Sequence, residues 1–504
     1  MKMKHNNFLK LFTLLISTSF LCPSALDAMP VCPKECPKEI ENPCENVDKL
    51  CAKEDQGPVT LQETLERTYM QNATLDAARA NLRAQDENVS IANGDWRPSV
   101  GVQGFQTFAQ NNPIDGHGAP RTHTHDTGYT ATIEQNIYAG GRTDASIGQA
   151  ESNVFSGKAG LFSTEQNVLF NAVSAHAAVI ANQDIVKYLQ DSVSFYKTLL
   201  NHTQARFEVG EVGRTDVETA LSKYEGAKGD LSSAIGELET AKAAYFQIVA
   251  CPPENLEPAN IILELPETYQ EVLCVAKDQN PQITEARYAL EAALYNVDIQ
   301  MAGLLPSLGV SGSVGNNRRG GTEFTQKQTS LNAQAILDVP IYRQGIPSAQ
   351  VRQAYQQVAQ QKVELVQAQR VVEQDARTAW ENLIAARGAL KGYMAQVKAG
   401  ELAVEGATEE MNVGAVSVVD VTVLQTDLVQ AQIQLVNAQQ RLITATYDVL
   451  QAMGSLMAAT LKLNVQYYDP DAYYEEYKDA WIQFWQGEDM RYVKEEPCGP
   501  LCKP

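Results

Sequence analysis

The chain has 504 residues and a formal net charge of -21, so phosphate backbones would repel it and nucleic-acid binding is disfavoured at the outset. It is 44% hydrophobic but only 7% aromatic, a balance that suits long helices packed at close range better than one thick globular core.

Lys2, Lys4 and Lys10 precede or open a short apolar stretch, Leu11 to Leu21. That stretch is too short to span a bilayer as a helix, so residues 1–28 read as a secretory signal peptide. Cleavage after Ala28 is expected, with lipidation at Cys22 as the rival. Residues 29–58 form a polar tail carrying Cys32, Cys36, Cys44 and Cys51, and the acidic, aromatic tail 461–504 carries Cys498 and Cys502. Cys251 and Cys274 flank a connector, so eight cysteines remain once Cys22 is removed. In an oxidising compartment, disulfides within or between the tails are the expectation. Zinc is the alternative, although the spacings lack tight C-x-x-C pairs.

Between the tails the chain says the same thing twice. Asn72-Ala73-Thr74-Leu75-Asp76-Ala77-Ala78-Arg79 returns 208 residues later as Asn280-Pro281-Gln282-Ile283-Thr284-Glu285-Ala286-Arg287. Pro98-Ser99 and Pro306-Ser307 keep that spacing. Ile137-Tyr138 and Ile341-Tyr342 are 204 apart, as are Val209-Gly210 and Val413-Gly414, and Asp216-Val217 and Asp420-Val421. The repeats therefore cover 59–253 and 265–460. Pro252-Pro253 ends the first and opens the connector 254–264.

Each repeat reads helix, strand, loop, strand, very long helix, tight turn, long helix. Strands are expected at about 98–110, 127–138, 305–315 and 329–341. In the second repeat Leu308, Val310, Gly312 and Val314 alternate with Ser307, Gly309, Ser311 and Ser313, and Leu331, Ala333, Ala335 and Leu337 with Ser330, Asn332, Gln334 and Asp338. In the first, Tyr129, Ala131 and Ile133 alternate with Thr130, Thr132 and Glu134, while Phe105 breaks step after Val100 and Val102. One apolar and one polar face is the pattern of a transmembrane barrel wall. Four strands cannot close a barrel alone, so this reading demands oligomers. Tyr138 and Tyr342 stand at matching strand ends, where an interfacial girdle would lie. Residues 111–126, with His117, His123 and His125, and residues 316–328 read as outer loops.

No proline interrupts Arg142 to about Phe207 or Ser348 to about Asn412. At about 1.5 Å per residue each helix would reach roughly 100 Å. The returning helices carry heptads: Val217, Ala220, Tyr224, Ala227, Leu231, Ala234, Leu238, Ala241 and Tyr245, then Val421, Leu424, Leu428, Ala431, Leu435, Ala438, Leu442, Ala445 and Val449. Alternating steps of three and four predict a left-handed coiled coil, and the alanine side lets the backbones approach closely. The fold class is thus mainly α with a β-barrel portion.

The turn Arg206-Phe207-Glu208-Val209-Gly210-Glu211-Val212-Gly213-Arg214-Thr215-Asp216-Val217 and its counterpart from Asn412 to Val421 resemble the helix tips of the TolC family of outer-membrane efflux proteins. The segment from Tyr468-Asp469-Pro470 to Trp481 resembles a tail found in some members. The resemblance covers about Val59 to Trp481. It implies a homotrimer with a twelve-strand barrel in outer-membrane lipid and a twelve-helix periplasmic tunnel, serving tripartite efflux or type I secretion. It places Val209, Gly210, Val413 and Gly414 where a periplasmic adaptor and inner-membrane pump engage. It also places Asp216 and Asp420 at the pore entrance, where three copies of each would attract cations; as an equal alternative, each caps its returning helix. The family's tip lock is not expected here, because Met411 and Val416 occupy its tyrosine and arginine positions and Val423 stands where a second acidic ring would fall. Arg214 is the candidate substitute.

No nucleophile–base arrangement, phosphate loop, dinucleotide fingerprint or zinc-protease motif occurs, so neither an enzyme nor a cofactor is expected. The competing reading is a periplasmic coiled-coil strut or adaptor without a pore.

Overall fold

The computed structural model describes residues 58–111, 122–259, 265–321 and 325–481. The signal peptide, the six tail cysteines and His117 lie outside the described residues.

The repeat is visible in three dimensions. Helices α1 (Leu61–Gln71) and α2 (Ala73–Gly94) lead into strands β1 (Ser99–Asn111) and β2 (Thr122–Tyr138), then α3 (Arg142–Glu208) and α4 (Arg214–Val249). The second half repeats the order as α5 (Tyr269–Gln279), α6 (Pro281–Ala302), β3 (Ser307–Gly321), β4 (Thr325–Asp338), α7 (Ile346–Asn412) and α8 (Val418–Ala452). A short α9 (Ala472–Tyr477) follows.

The two long helices have the same length, 67 residues each. Each packs antiparallel against its returning helix along the expected seam. In α4 the alanines Ala220, Ala227 and Ala234 are buried, and in α8 so are Val421, Leu428, Ala431, Ala438 and Ala445. The small side goes deepest because a methyl group lets the partner backbone close over it.

The repeated asparagine has one job in both halves. The Asn72 side chain caps α2 by accepting from Thr74 and Leu75 N–H at 2.9 and 3.2 Å, and its amide donates to Ile248 O at 2.9 Å. Asn280 accepts from Gln282 N–H at 2.9 Å, and its amide donates to Ala452 O at 3.0 Å. One buried side chain thus starts a 22-residue helix and ties down the end of the returning helix.

The four strands form one antiparallel sheet in the order β1-β2-β3-β4. Their register aligns the apolar positions across the sheet. Val102 lies opposite Ala131, Ala131 opposite Val314, and Val314 opposite Leu331; Val100, Ile133, Gly312 and Ala333 form the neighbouring row. Side chains alternate along a strand, so these rows share one face. Among the described residues nothing covers that face: Val100 is 72% exposed, Val102 75% and Leu331 84%. Thr130, Thr132, Ser313 and Asn332 hold the opposite face. Phe105 breaks the alternation for a local reason. It faces Gly128 across the ladder, and its ring lies where a Gly128 side chain would otherwise project.

The strands run further outward than expected. Thr122–Asp126, which includes His123 and His125, is strand rather than loop, as are residues 316–321 and 325–328. Arg319 pairs with Asp126 at 3.1 Å across β2 and β3, and Phe108 meets His125 edge-on at 4.9 Å. At the other end β4 stops at Asp338, because Pro340 lacks the N–H a ladder needs.

The connector is pinned by a buried polar chain. His176 Nε2 lies 3.0 Å from Glu257 O, which can only accept, so Nε2 carries the proton. Thr64 Oγ1 therefore donates to His176 Nδ1 at 3.0 Å, and Tyr245 OH reaches Thr64 Oγ1 at 3.1 Å. Burial lowers the His176 pKa and keeps the ring neutral. Cys251 is buried and disulfide-bonded. Cys274 is an exposed free thiol, so it takes no part in the expected bridges.

After α8 the chain runs as a strap along α1 and α2. Tyr468 N–H donates to Tyr69 OH at 3.1 Å, Tyr473 OH to Glu87 at 2.7 Å, and Lys158 pairs with Asp471. Beneath that pair Asp86 is buried with neither carboxylate oxygen hydrogen-bonded. Burial is the main cause that pushes its pKa up to about 6.

Candidate functional site: the helix tips

Both tips are built alike. Helix α3 ends at Glu208, and Gly210 turns the chain with φ +78°; Gly210 N–H donates to Phe207 O at 3.0 Å and Glu211 N–H to Arg206 O at 2.9 Å. Helix α7 ends at Asn412, and Gly414 has φ +79°; its N–H reaches Met411 O at 3.0 Å, and Ala415 N–H reaches Glu410 O at 2.9 Å. The left-handed conformation explains glycine at both sites. Val209 and Val413 are 72% and 80% exposed, so each tip presents an apolar side chain beside a bare turn.

Neither aspartate is itself the N-cap, which is Gly213 in α4 and Ser417 in α8; each stands at the third helical position and reaches back to that cap. Asp216 accepts from Gly213 N–H at 3.1 Å. Asp420 accepts from Ser417 N–H at 3.3 Å and Ser417 Oγ at 2.7 Å, while Asp420 N–H returns a bond to Ser417 Oγ at 3.3 Å. Each carboxylate thus sits at the positive end of its helix; Asp420 is exposed to solvent and Asp216 is half-buried.

The tie between tips falls on a different arginine from the candidate. Arg214 pairs only with Glu218 of its own helix, at 3.5 Å, and both side chains are largely exposed. Arg206 instead donates through Nε to Glu211 at 3.1 Å and through NH1 to Met411 O at 3.3 Å. Arg206 stands in the last turn of α3 and its guanidinium meets a carbonyl at the end of α7, a place where a cation is favoured. Above it Tyr196, Leu199, Ala220, Ala407, Met411, Val418 and Val421 form a small core shared by both hairpins. Tyr196 OH also donates to Thr422 O at 3.3 Å. Sequence reasoning missed Arg206; the available signal was a basic residue in the last turn of α3, which α7 lacks.

Arg206→Gln is expected to loosen the tip. A partly exposed charge-assisted bond contributes about 1–2 kcal/mol, which is about tenfold in the equilibrium between tied and parted tips. Amide hydrogen exchange at the two turns should quicken by about that factor, whereas an unchanged pattern would deny Arg206 a part in tying them.

Among the described residues no His, Cys, Asp and Glu group could hold a metal ion, and no helix is long and apolar enough to cross a membrane.

A model of the family described as outer membrane efflux protein matches residues 64–249 and 272–460, one match on each repeat. The chain is 33% identical over 425 residues to the outer membrane efflux protein BepC of Brucella suis, covering 84% of this chain and 91% of the relative. It is 24% identical over 419 residues to the outer membrane protein TolC of Escherichia coli, covering 79% and 82%. The crystal structure of the Campylobacter jejuni CmeC outer membrane channel superposes with a TM-score of 0.71 at 16% identity, covering 92% of this chain and 98% of that one.

Proposed function

The chain belongs to the outer membrane efflux protein family, and on that footing we propose that three copies form a passive export duct of a tripartite efflux or type I secretion system. It is an outer-membrane channel with a large helical part in the periplasm.

The observation that carries the trimer is the sheet. Its apolar face is bare, and β1 and β4 each pair on one side only. In lipid every unpaired backbone group costs several kcal/mol. Joining β4 of one copy to β1 of the next removes both edges, and three copies of a four-strand sheet make one closed barrel. A strut without a pore would leave this face and both edges unexplained.

The helix hairpins continue the wall as a tunnel whose far end is the tips. We assign Val209, Gly210, Val413 and Gly414 to contact with a periplasmic adaptor and its inner-membrane pump: exposed valines supply apolar area, and the glycine turns permit close backbone approach. Asp216 and Asp420, three of each, form the entrance ring that favours cations. The chain supplies passage and no catalytic step, and it needs no cofactor.

Planar bilayers test this. The detergent-extracted protein should give discrete, cation-preferring steps. Asp216→Asn with Asp420→Asn keeps the caps but removes six charges per trimer, and should move the reversal potential in a salt gradient toward zero. A folded, inserted protein that never conducts would falsify the duct; an unchanged reversal potential would remove only the two aspartates from the entrance.

A further inference from the structure

The strap after α8 has no part in the duct as described so far. It climbs α2 toward the sheet, and residues 478–481 pass beside the turn that enters β1. Asn93 Nδ2 donates to Lys478 O at 3.0 Å, Arg97 donates to Ala480 O, and the Arg97 guanidinium lies 5.2 Å from the Trp481 ring centre. Trp481 is nevertheless 68% exposed.

Its location is fixed by the sheet. Gln135 shares the apolar face with Ile133 and Ala131, two and four residues before it. Its side chain donates to Trp96 O at 2.9 Å, so the turn carrying Trp96 and Arg97 lies at the lower end of the bare apolar face. Trp96, Tyr138 and Tyr342 are also exposed at these strand ends. A row of half-wet aromatic rings at the border of an apolar band matches a membrane interface, where a ring and a polar tip are both satisfied.

We propose that the strap after α8 carries a membrane anchor, with Trp481 seated among the phospholipid headgroups of the outer membrane's inner leaflet and Arg97 meeting their phosphates. This rests on the outer-membrane reading and adds a contact beyond the barrel. The charge fits: Arg97 is cationic and the phosphates are anionic, and its plane is already stacked on the ring that enters the interface. The anchor fixes the helical part to the bilayer through a segment that also grips α1, α2 and α3.

The test uses the full chain with Trp481 as the only tryptophan (Trp96, Trp380 and Trp485 each replaced by Phe). It is reconstituted in vesicles of phosphatidylcholine with phosphatidylglycerol, and conductance is measured on the same preparation. Lipids brominated near the headgroup end of their chains should quench Trp481 more than lipids brominated near the chain ends. Adding Arg97→Gln should weaken that quenching. In a conducting preparation, emission quenched freely by aqueous iodide and untouched by either lipid would overturn the anchor while leaving the channel standing. A preparation that inserts but does not conduct brings down the channel reading, and the anchor with it.

Discussion

Ala131→Arg is expected to keep the chain out of the outer membrane, whereas Thr132→Arg, one residue along, is expected to insert. Ala131 lies opposite Val102 on one neighbour and Val314 on the other, near the middle of β2 and on the bare apolar face. A charged side chain on the lipid face near the midplane of a barrel costs about 2–4 kcal/mol, and a symmetric trimer would bear that cost in every copy. Thr132 lies opposite Gly101 and Ser313, on the polar face that the duct reading turns toward water. An arginine there should be tolerated and should lower cation preference. Membrane fractionation with conductance of whatever inserts distinguishes the two. Equal behaviour of the pair would mean that the sheet does not separate lipid from lumen.

Gly454→Ala should be the most damaging small substitution in the helical part. Gly454 ends α8 with φ +78°. A Cβ there would come within 2.7 Å of Gln279 O and 2.8 Å of Asn280 Cα, and backbone atoms at the start of α6 cannot turn aside as a side chain would. Left-handed strain costs about 1–2 kcal/mol, and forced overpacking adds about 1–3 kcal/mol. A loss of about 3 kcal/mol in thermal or denaturant unfolding is expected. The first repeat supplies the control. Ala250 stands at the corresponding position, also with positive φ, +61°, so that site already accommodates a methyl group. Ala250→Gly should be neutral or slightly stabilising. If Gly454→Ala proves equally harmless, the close approach of α8 to the α5–α6 junction is not rigid.

Much of this fold was legible because the chain repeats itself. The asparagine pair, the Pro-Ser strand starts and the Val-Gly turns marked equivalent places, and the structure gives the asparagines equivalent bonds. Alternation found the sheet faces because one face must avoid water while the other accepts it. The strand ends were misjudged for a related reason. Between Thr122 and Asp126 both faces are polar, so the period carries no contrast, and cross-strand partners such as Arg319 and Phe108 reveal the ladder. His176 has no partner near it in sequence, because Thr64, Tyr245 and Glu257 come from three distant segments. Arg206 was hidden in the same way: its acceptor is a backbone carbonyl about two hundred positions away, and carbonyls leave no mark in a sequence. The capping contacts of Asp216 and Asp420 were readable because each spans only three residues.

The equal lengths of α3 and α7 carry a stoichiometric consequence. Both hairpins of a protomer descend the same distance, so the proposed three-chain ring would offer six sockets in a quasi-sixfold crown. A docking protein that reads only the shared Val-Gly corner could occupy all six. One that distinguishes Glu211 of the first corner from Ala415 of the second would occupy alternate sockets, three per ring.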